Sequence, residues 1–149
     1  MIDIEDISEA EMKAFLASHD FGHLGMSRGD QPYLVPMHYA YDGEWLYFFT
    51  TLGTKTECLD QNHRVCFQVE EIQDREHWQS VMVSGEAEHI TDATELEKAT
   101  QLITARNPAL TPAINLTRID AWGRANDVAL YRIRPRMIDG RRTQRSPPV

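Results

Sequence analysis

Two turn signals inside one run of alternating apolar residues restrict this chain more than any other feature. Between Phe21 and Thr51, in "FGHLGMSRGDQPYLVPMHYAYDGEWLYFFTT", Arg28-Gly29-Asp30 and Asp42-Gly43 interrupt segments rich in Leu, Val, Tyr, Phe and Trp. Asp-Gly between aromatic runs is a hairpin signal, because glycine accepts the positive φ that a tight reversal requires. The stretch reads as three antiparallel strands joined by two turns, with "YLVPMHYAY" lying against "EWLYFFTT". Pro36 falls inside the second strand, and a residue without a ladder donor confines that strand to an edge or a bulge. Period-two alternation sets Tyr33, Val35, Met37, Tyr39 and Tyr41 on one face and Leu34, Pro36, His38 and Ala40 on the other.

The rest of the chain adds helices around this meander. Ser8 and Glu11 form a capping-box pattern, with Ile7 and Met12 as a staple, for a helix fading near Ser18-His19-Asp20. A helix over about Thr54–Gln61 leads into a strand at Arg64–Glu70. "HWQSVMVSGEAEHI" is a long strand in which Gly85 marks a bulge or a close backbone approach. Asp92-Ala93-Thr94-Glu95 opens a helix running to about Arg106. Pro108 and Pro112 break the chain, a short helix covers Ala113–Ile119, and "DVALYRIRPRMI" is the last strand. The expectation is one α+β domain over residues 1–149: a six-stranded antiparallel sheet curled to a small barrel, with flanking helices.

Composition narrows the function classes. Net charge is −8 although residues 132–149 hold six arginines against Asp139, so the remaining body is strongly acidic and unsuited to a phosphate backbone. No nucleic-acid partner is expected. The apolar runs fall short of the ~20 residues of a membrane helix, the first residues "MIDIEDISEAEM" are acidic, and two cysteines give no disulfide framework. A cytoplasmic protein without a membrane partner is the expectation. From Arg141 onward the Arg-rich tail reads as a solvated extension, and the alternating Arg132, Arg134 and Arg136 require acidic neighbours.

The chemistry concentrates at "TTLGTKTECL". Thr50, Thr51, Thr54, Thr56 and Lys55 cluster where an aromatic strand turns into a helix. Free amides at the helix start, hydroxyls and one ammonium suit a monophosphate. A P-loop needs adjacent Gly-Lys, which Thr54 separates here. Alternatively, threonine caps the helix and Lys55 is merely solvated. Pro36 likewise leaves backbone groups free for a flat polar heterocycle, or simply protects an edge. Cys58, His63 and Cys66 lack a fourth ligand, and no metal site is expected. No hydrolase signature is present.

In order and spacing, "GHLGMS", "PYLVPMHYAYDGEWLYFFT", "GTKTECLDQNHRVCFQVEE" and "WQSVMVSGEAEHI" together resemble the pyridoxamine 5'-phosphate oxidase-like flavoproteins, over about Phe21 to Ile90. Within that group the chain is most similar to small members that include the nitroimidazole-resistance proteins. The resemblance implies a split β-barrel homodimer with FMN at the subunit interface. It implies that Thr50, Thr51 and Lys55 contact the FMN phosphate and that Val35, Pro36, Met37 and His38 lie along the isoalloxazine ring. Trp78, Gln79 and Ser80 would border the flavin. Phe49 stands where the nitroimidazole-resistance members tend to have histidine, and the substrate-phosphate residues of a pyridoxamine 5'-phosphate oxidase have no match. The implied function is an FMN-dependent oxidoreductase on a small molecule. The rivals are a non-catalytic flavin or haem carrier, with His38, His63 or His89 as haem ligand, and a deazaflavin-dependent reductase.

Overall fold

The computed structural model describes residues 2–51, 53–107 and 128–145. They form, in order, β1 (Ile2–Asp6), α1 (Glu9–Ser18), β2 (Phe21–Arg28), β3 (Gln31–His38), β4 (Ala40–Tyr41), β5 (Leu46–Thr51), α2 (Thr54–Gln61), β6 (Arg64–Asp74), β7 (His77–His89), α3 (Ala93–Arg106) and β8 (Val128–Arg145). The sheet has eight strands rather than the six expected. The helix expected over Ala113–Ile119 lies outside the described residues.

Connectivity curls this sheet. Its main path runs β3-β2-β6-β7-β8-β5-β4, yet β3 and β4, at its two ends, are separated in the chain by Tyr39 alone. Laid flat, six gaps of about 4.8 Å would separate those ends by roughly 29 Å, and one residue spans at most about 3.6 Å. The sheet must therefore wrap until its ends adjoin. β3 and β5 touch there without forming a ladder. The architecture is an α+β antiparallel split β-barrel, and the unpaired contact is its seam. No described helix is long and apolar enough to cross a membrane.

Both additional strands have physical causes. β1 comes from the acidic N-terminal segment, whose partners are the tail arginines: Glu5 pairs in register with Arg142 and Asp6 with Arg141. Arg142 also reaches the carboxylates of Glu5 (2.5 Å) and Glu11 (2.6 Å). Residues 141–145 are thus the end of β8, not a solvated extension. Glu11 gives its carboxylate to Arg142, leaving Ser8 Oγ to cap α1 by accepting from Glu11 N (3.3 Å). The other addition arises because the second predicted strand divides at Tyr39. Its first part pairs with β2, and only Ala40 and Tyr41 pair with β5.

β3 is an edge strand, as Pro36 requires. The two-residue turn Gly29-Asp30, with Gly29 at φ 58°, makes Arg28 and Gln31 the closing pair. Alternation from that pair turns the backbone of Pro32, Leu34, Pro36 and His38 away from β2. Two of those four positions have no N–H. At Gly85 the β7–β8 register shifts opposite Pro135, and an added Cβ would lie 2.4 Å from the Arg134 carbonyl oxygen. The expected bulge and the expected close approach are one feature.

The barrel interior is filled by Leu24, Phe67, Val69, Val81, Val83, Phe48 and Ile133, and a second cluster under α3 contains Ala40, Tyr47, Leu130, Ala99 and Ile103. Arg132 lies over the Trp45 ring at 4.1 Å and pairs with Glu88 (3.0 Å) and Glu95 (3.1 Å), while Arg136 pairs with Glu86 (3.2 Å). The acidic neighbours required by the arginine row come from the same chain. Tyr131 is buried against Phe48, and burial first, then Asp60, pushes its phenol from 10.0 up to about 12. A raised folded pKa stabilises the fold fully below the unfolded value and less as pH rises through the folded one. Alkaline unfolding should therefore steepen between pH 10 and about 12. Denaturant melts of Tyr131→Phe across that range should show a smaller slope; an unchanged slope would remove Tyr131 from the account.

Candidate functional site

The seam gathers two of the three predicted groups. Across it β3, which ends at His38, touches β5, which ends at Thr51. Tyr39 anchors this point: its N–H donates to Asp20 O (3.0 Å) and its phenol to Leu16 O (2.7 Å). Burial holds the Tyr39 phenol well above its ordinary range, against the opposing pull of Arg106, so it remains a donor. The strand that carries Val35, Pro36, Met37 and His38 thus touches the strand that ends in Thr50 and Thr51, with α2 beginning three residues on.

Their side chains do not all face the same way. Met37 is buried in the barrel core and Val35 packs against it, and the backbone of both faces β2, so neither offers a side chain or a backbone group to a ligand outside the barrel. Pro36 and His38 lie on the opposite face, where Phe21 meets His38 edge-on at 5.0 Å. Thr50 is buried, its hydroxyl donating weakly to Thr51 O (3.3 Å), and Thr51 is exposed.

The start of α2 has the donor chemistry that the sequence suggested. α1 is capped by Ser8, and in α3 Asp92 accepts from Glu95 N at 3.0 Å. At α2 the N-cap is Gly53, which has no side chain to offer. Thr56 Oγ accepts from Gly53 N (2.9 Å) and donates to Gly53 O (2.8 Å), which fixes the turn but caps none of the amides that follow. Lys55 is half-buried beside them. Uncapped amides, the positive end of a helix dipole, a free-standing threonine and an ammonium fit a phosphate monoester.

The third group lies elsewhere. Trp78, Gln79 and Ser80 open β7, three strands from β3 and so roughly 14 Å across the sheet. Thr50 pairs with Ala129, whereas Gln79 pairs with Arg142, thirteen positions further along β8. Trp78 N donates to Thr143 Oγ1 (3.1 Å), Gln79 Nε2 to Glu71 (3.2 Å), and Gln68 Nε2 to Ser80 Oγ (2.9 Å). Trp78 and Gln79 border a cleft of about 220 Å³ with Glu71, His77 and Arg142. One chain does not bring this group to the seam.

Trp78 and Ser80 instead share the outer sheet face with Met82 and Ser84. Ladder registers align Leu34, Gly25, Cys66, Ser84 and Met137 across β3, β2, β6, β7 and β8. Small residues fill the middle of that row, and Leu34 (68% exposed) and Met137 (63%) stand at its ends. Cys66 lies on this face while Cys58 is buried in the core, so the two cysteines point apart. Among the described residues no three His, Cys, Asp or Glu side chains are grouped to hold a metal.

Phe21 and Asn107 are seam neighbours of His38 that the sequence reading missed. Counting back from Gly29-Asp30 gives the Phe21–His38 pair, so that signal existed. Asn107 arrives by tertiary packing of α3, for which no local signal exists.

The fold and seam define a split β-barrel with a corner whose donors suit an anion. Residues 8–142 match the pyridoxamine 5'-phosphate oxidase family, and the chain belongs to it. A stretch of 79 residues is 37% identical to an uncharacterised protein of Rhizobium meliloti, covering 53% of this chain and 52% of that protein. The chain therefore matches about half the length of that curated relative. A solved structure of an FAD-binding protein from Mesorhizobium loti is 28% identical, with TM-score 0.76, over 97% of this chain and 100% of that one. A candidate 5-nitroimidazole antibiotic resistance protein from Bacteroides thetaiotaomicron shares the fold, with TM-score 0.72 at 19% identity over 97% of this chain and 93% of that one.

Proposed function

We propose that the chain is a flavoprotein that binds FMN between two copies of itself and acts as an oxidoreductase on a small molecule. The observation that carries this is the seam, where an edge strand whose Pro36 faces outward touches β5, the strand that leads into the uncapped helix start and Lys55. The family and the FAD-binding description of the Mesorhizobium loti relative support a flavin. FMN is the finer claim, because the corner offers donors for one phosphate group. FAD is the second reading, favoured by that relative's description.

In the proposed complex the α2 amides, Thr51 and Lys55 hold the phosphate, and the outward backbone of Pro36 and His38 lies along the ring. Met37 and Phe48 close the barrel side against water. A bound flavin supplies hydride and single-electron transfer. Among the described residues none at the seam stands out as an acid–base catalyst, so the chain's part is binding and orientation.

The second copy completes the site. The outer face carries Leu34, Met82 and Met137 exposed, apolar side chains that a second copy would cover. The same face carries Trp78 and Ser80, which a partner docked there would bring toward the first copy's seam. An interface of this kind needs about 800 Å² per partner.

The purified protein's absorption spectrum, with sedimentation followed at the flavin wavelength, tests the proposal. Blue flavin absorption should travel with a species of about twice 17.1 kDa. The released cofactor's mass separates FMN from FAD. A Soret band would favour the haem-carrier rival, and a stable monomer with bound flavin would overturn the two-copy site.

A further inference from the structure

α3 ends at the seam, and its end is fastened there. Arg106 Nη2 donates to Ala17 O and to His19 O (3.2 Å), tying the helix to the corner between α1 and β2. Asn107, the C-cap, donates its backbone N–H to Ile103 O at 2.9 Å. With its backbone held, the Asn107 side chain reaches His38: Nδ2 lies 3.4 Å from His38 Nδ1. Phe21, edge-on at 5.0 Å, restricts rotation of the same imidazole.

This contact has a chemical consequence. With Nδ2 as the amide atom facing the ring, the contact is a hydrogen bond when His38 Nδ1 carries its lone pair, because an NH₂ donates and does not accept. A neutral imidazole with its lone pair at Nδ1 has its proton at Nε2, on the side of the ring away from α3. We propose that Asn107 is a positioning residue that holds His38 as the Nε2–H tautomer. On this proposal His38 presents a hydrogen-bond donor to the flavin ring along β3. The ligand half rests on the flavin reading above; the tautomer half does not.

A donor at the ring edge favours the reduced ring, which takes up two electrons and carries more negative charge on its oxygens and nitrogens. Hydrogen bonds to charged acceptors are roughly twice as strong as those to neutral ones. Removing the donor should therefore weaken binding of reduced flavin about tenfold more than that of oxidised flavin. For a two-electron couple that is a fall of about 30 mV in midpoint potential.

Nitrogen-15 NMR of the histidines in the full chain reads the tautomer directly, with or without flavin. His38 should be Nε2–H in the unmodified protein and a mixture of tautomers in Asn107→Leu. Titration with dithionite against a reference dye should show the potential lowered in His38→Leu, largely restored in His38→Gln, which keeps a donor, and partly lowered in Asn107→Leu. An Nδ1–H tautomer in the unmodified protein overturns the proposal, as does an unchanged potential in His38→Leu with flavin still bound. If the unmodified chain takes up no flavin, the functional reading and the ligand half fail together, and the NMR still decides the tautomer half.

Discussion

Lys55→Ala should weaken FMN binding by roughly 10- to 100-fold while leaving riboflavin binding unchanged. A charge-assisted bond from an ammonium to a phosphate dianion contributes about 1.5–3 kcal/mol, and each 1.4 kcal/mol is about tenfold in affinity. Lys55 is half-buried at an uncapped helix start, so the helix amides and the ammonium act on one anion together. Riboflavin lacks that anion. Stability without cofactor should barely change, because a lone surface cation contributes little to an empty fold. Cys58→Ala, three residues away, should behave oppositely. Cys58 is 1% exposed, so its loss lowers stability modestly and leaves FMN affinity nearly intact. Fluorescence quenching with both ligands on both variants separates these effects. Equal losses of FMN and riboflavin in Lys55→Ala would mean that Lys55 does not touch the phosphate.

Phe67→Ala should lower unfolding free energy by about 3–5 kcal/mol, a large share of the roughly 5–15 kcal/mol typical of a domain. Phe67 is fully buried and meets the Tyr39 ring edge-on at 5.1 Å. It also fills the space left by Gly22, where an added Cβ would lie 2.6 Å from Phe67 Cε1. Strands β2 and β6 are closely apposed there and relax little into a cavity. Phe49, partly exposed under α3, should cost less when truncated. Urea melts at matched protein concentration give both numbers. A Phe67→Ala loss below about 1 kcal/mol would contradict the close packing described for the barrel interior.

Much of the fold was legible because its signals are local. α2 spans Thr54–Gln61 as expected, Asp92 caps α3, and the bulge falls at Gly85. Turn glycines, capping side chains and alternation act within a few residues of one another. β1 was missed because it is a strand only by virtue of its partner at the other end of the chain. The acidic "IDIED" and the basic "GRRTQR" are complementary, but neither is strongly strand-like alone. The strand–turn–helix segment and the edge proline were legible because both are local, but the seam between them was not: the expected hairpin pairs with β5 only at Ala40 and Tyr41. That Trp78, Gln79 and Ser80 stand three strands away was not legible, since sheet order is set by which faces pack together. The inward turn of Val35 and Met37 was implicit in their alternation with Pro36 and His38.

The central claim is that one flavin site takes its phosphate group contacts from one chain and its Trp78 and Ser80 contacts from another. Co-expression of differently tagged Lys55→Ala and Trp78→Ala chains tests this most directly. Each variant alone should bind FMN weakly. Random pairing in a symmetric dimer makes about half the dimers mixed, each with one intact site, so about a quarter of the wild-type tight sites should reappear. Isolating the doubly tagged species should raise this to one tight site per dimer. No recovery of tight binding in that species would show that Lys55 and Trp78 do not contribute from different chains, and would contradict the account.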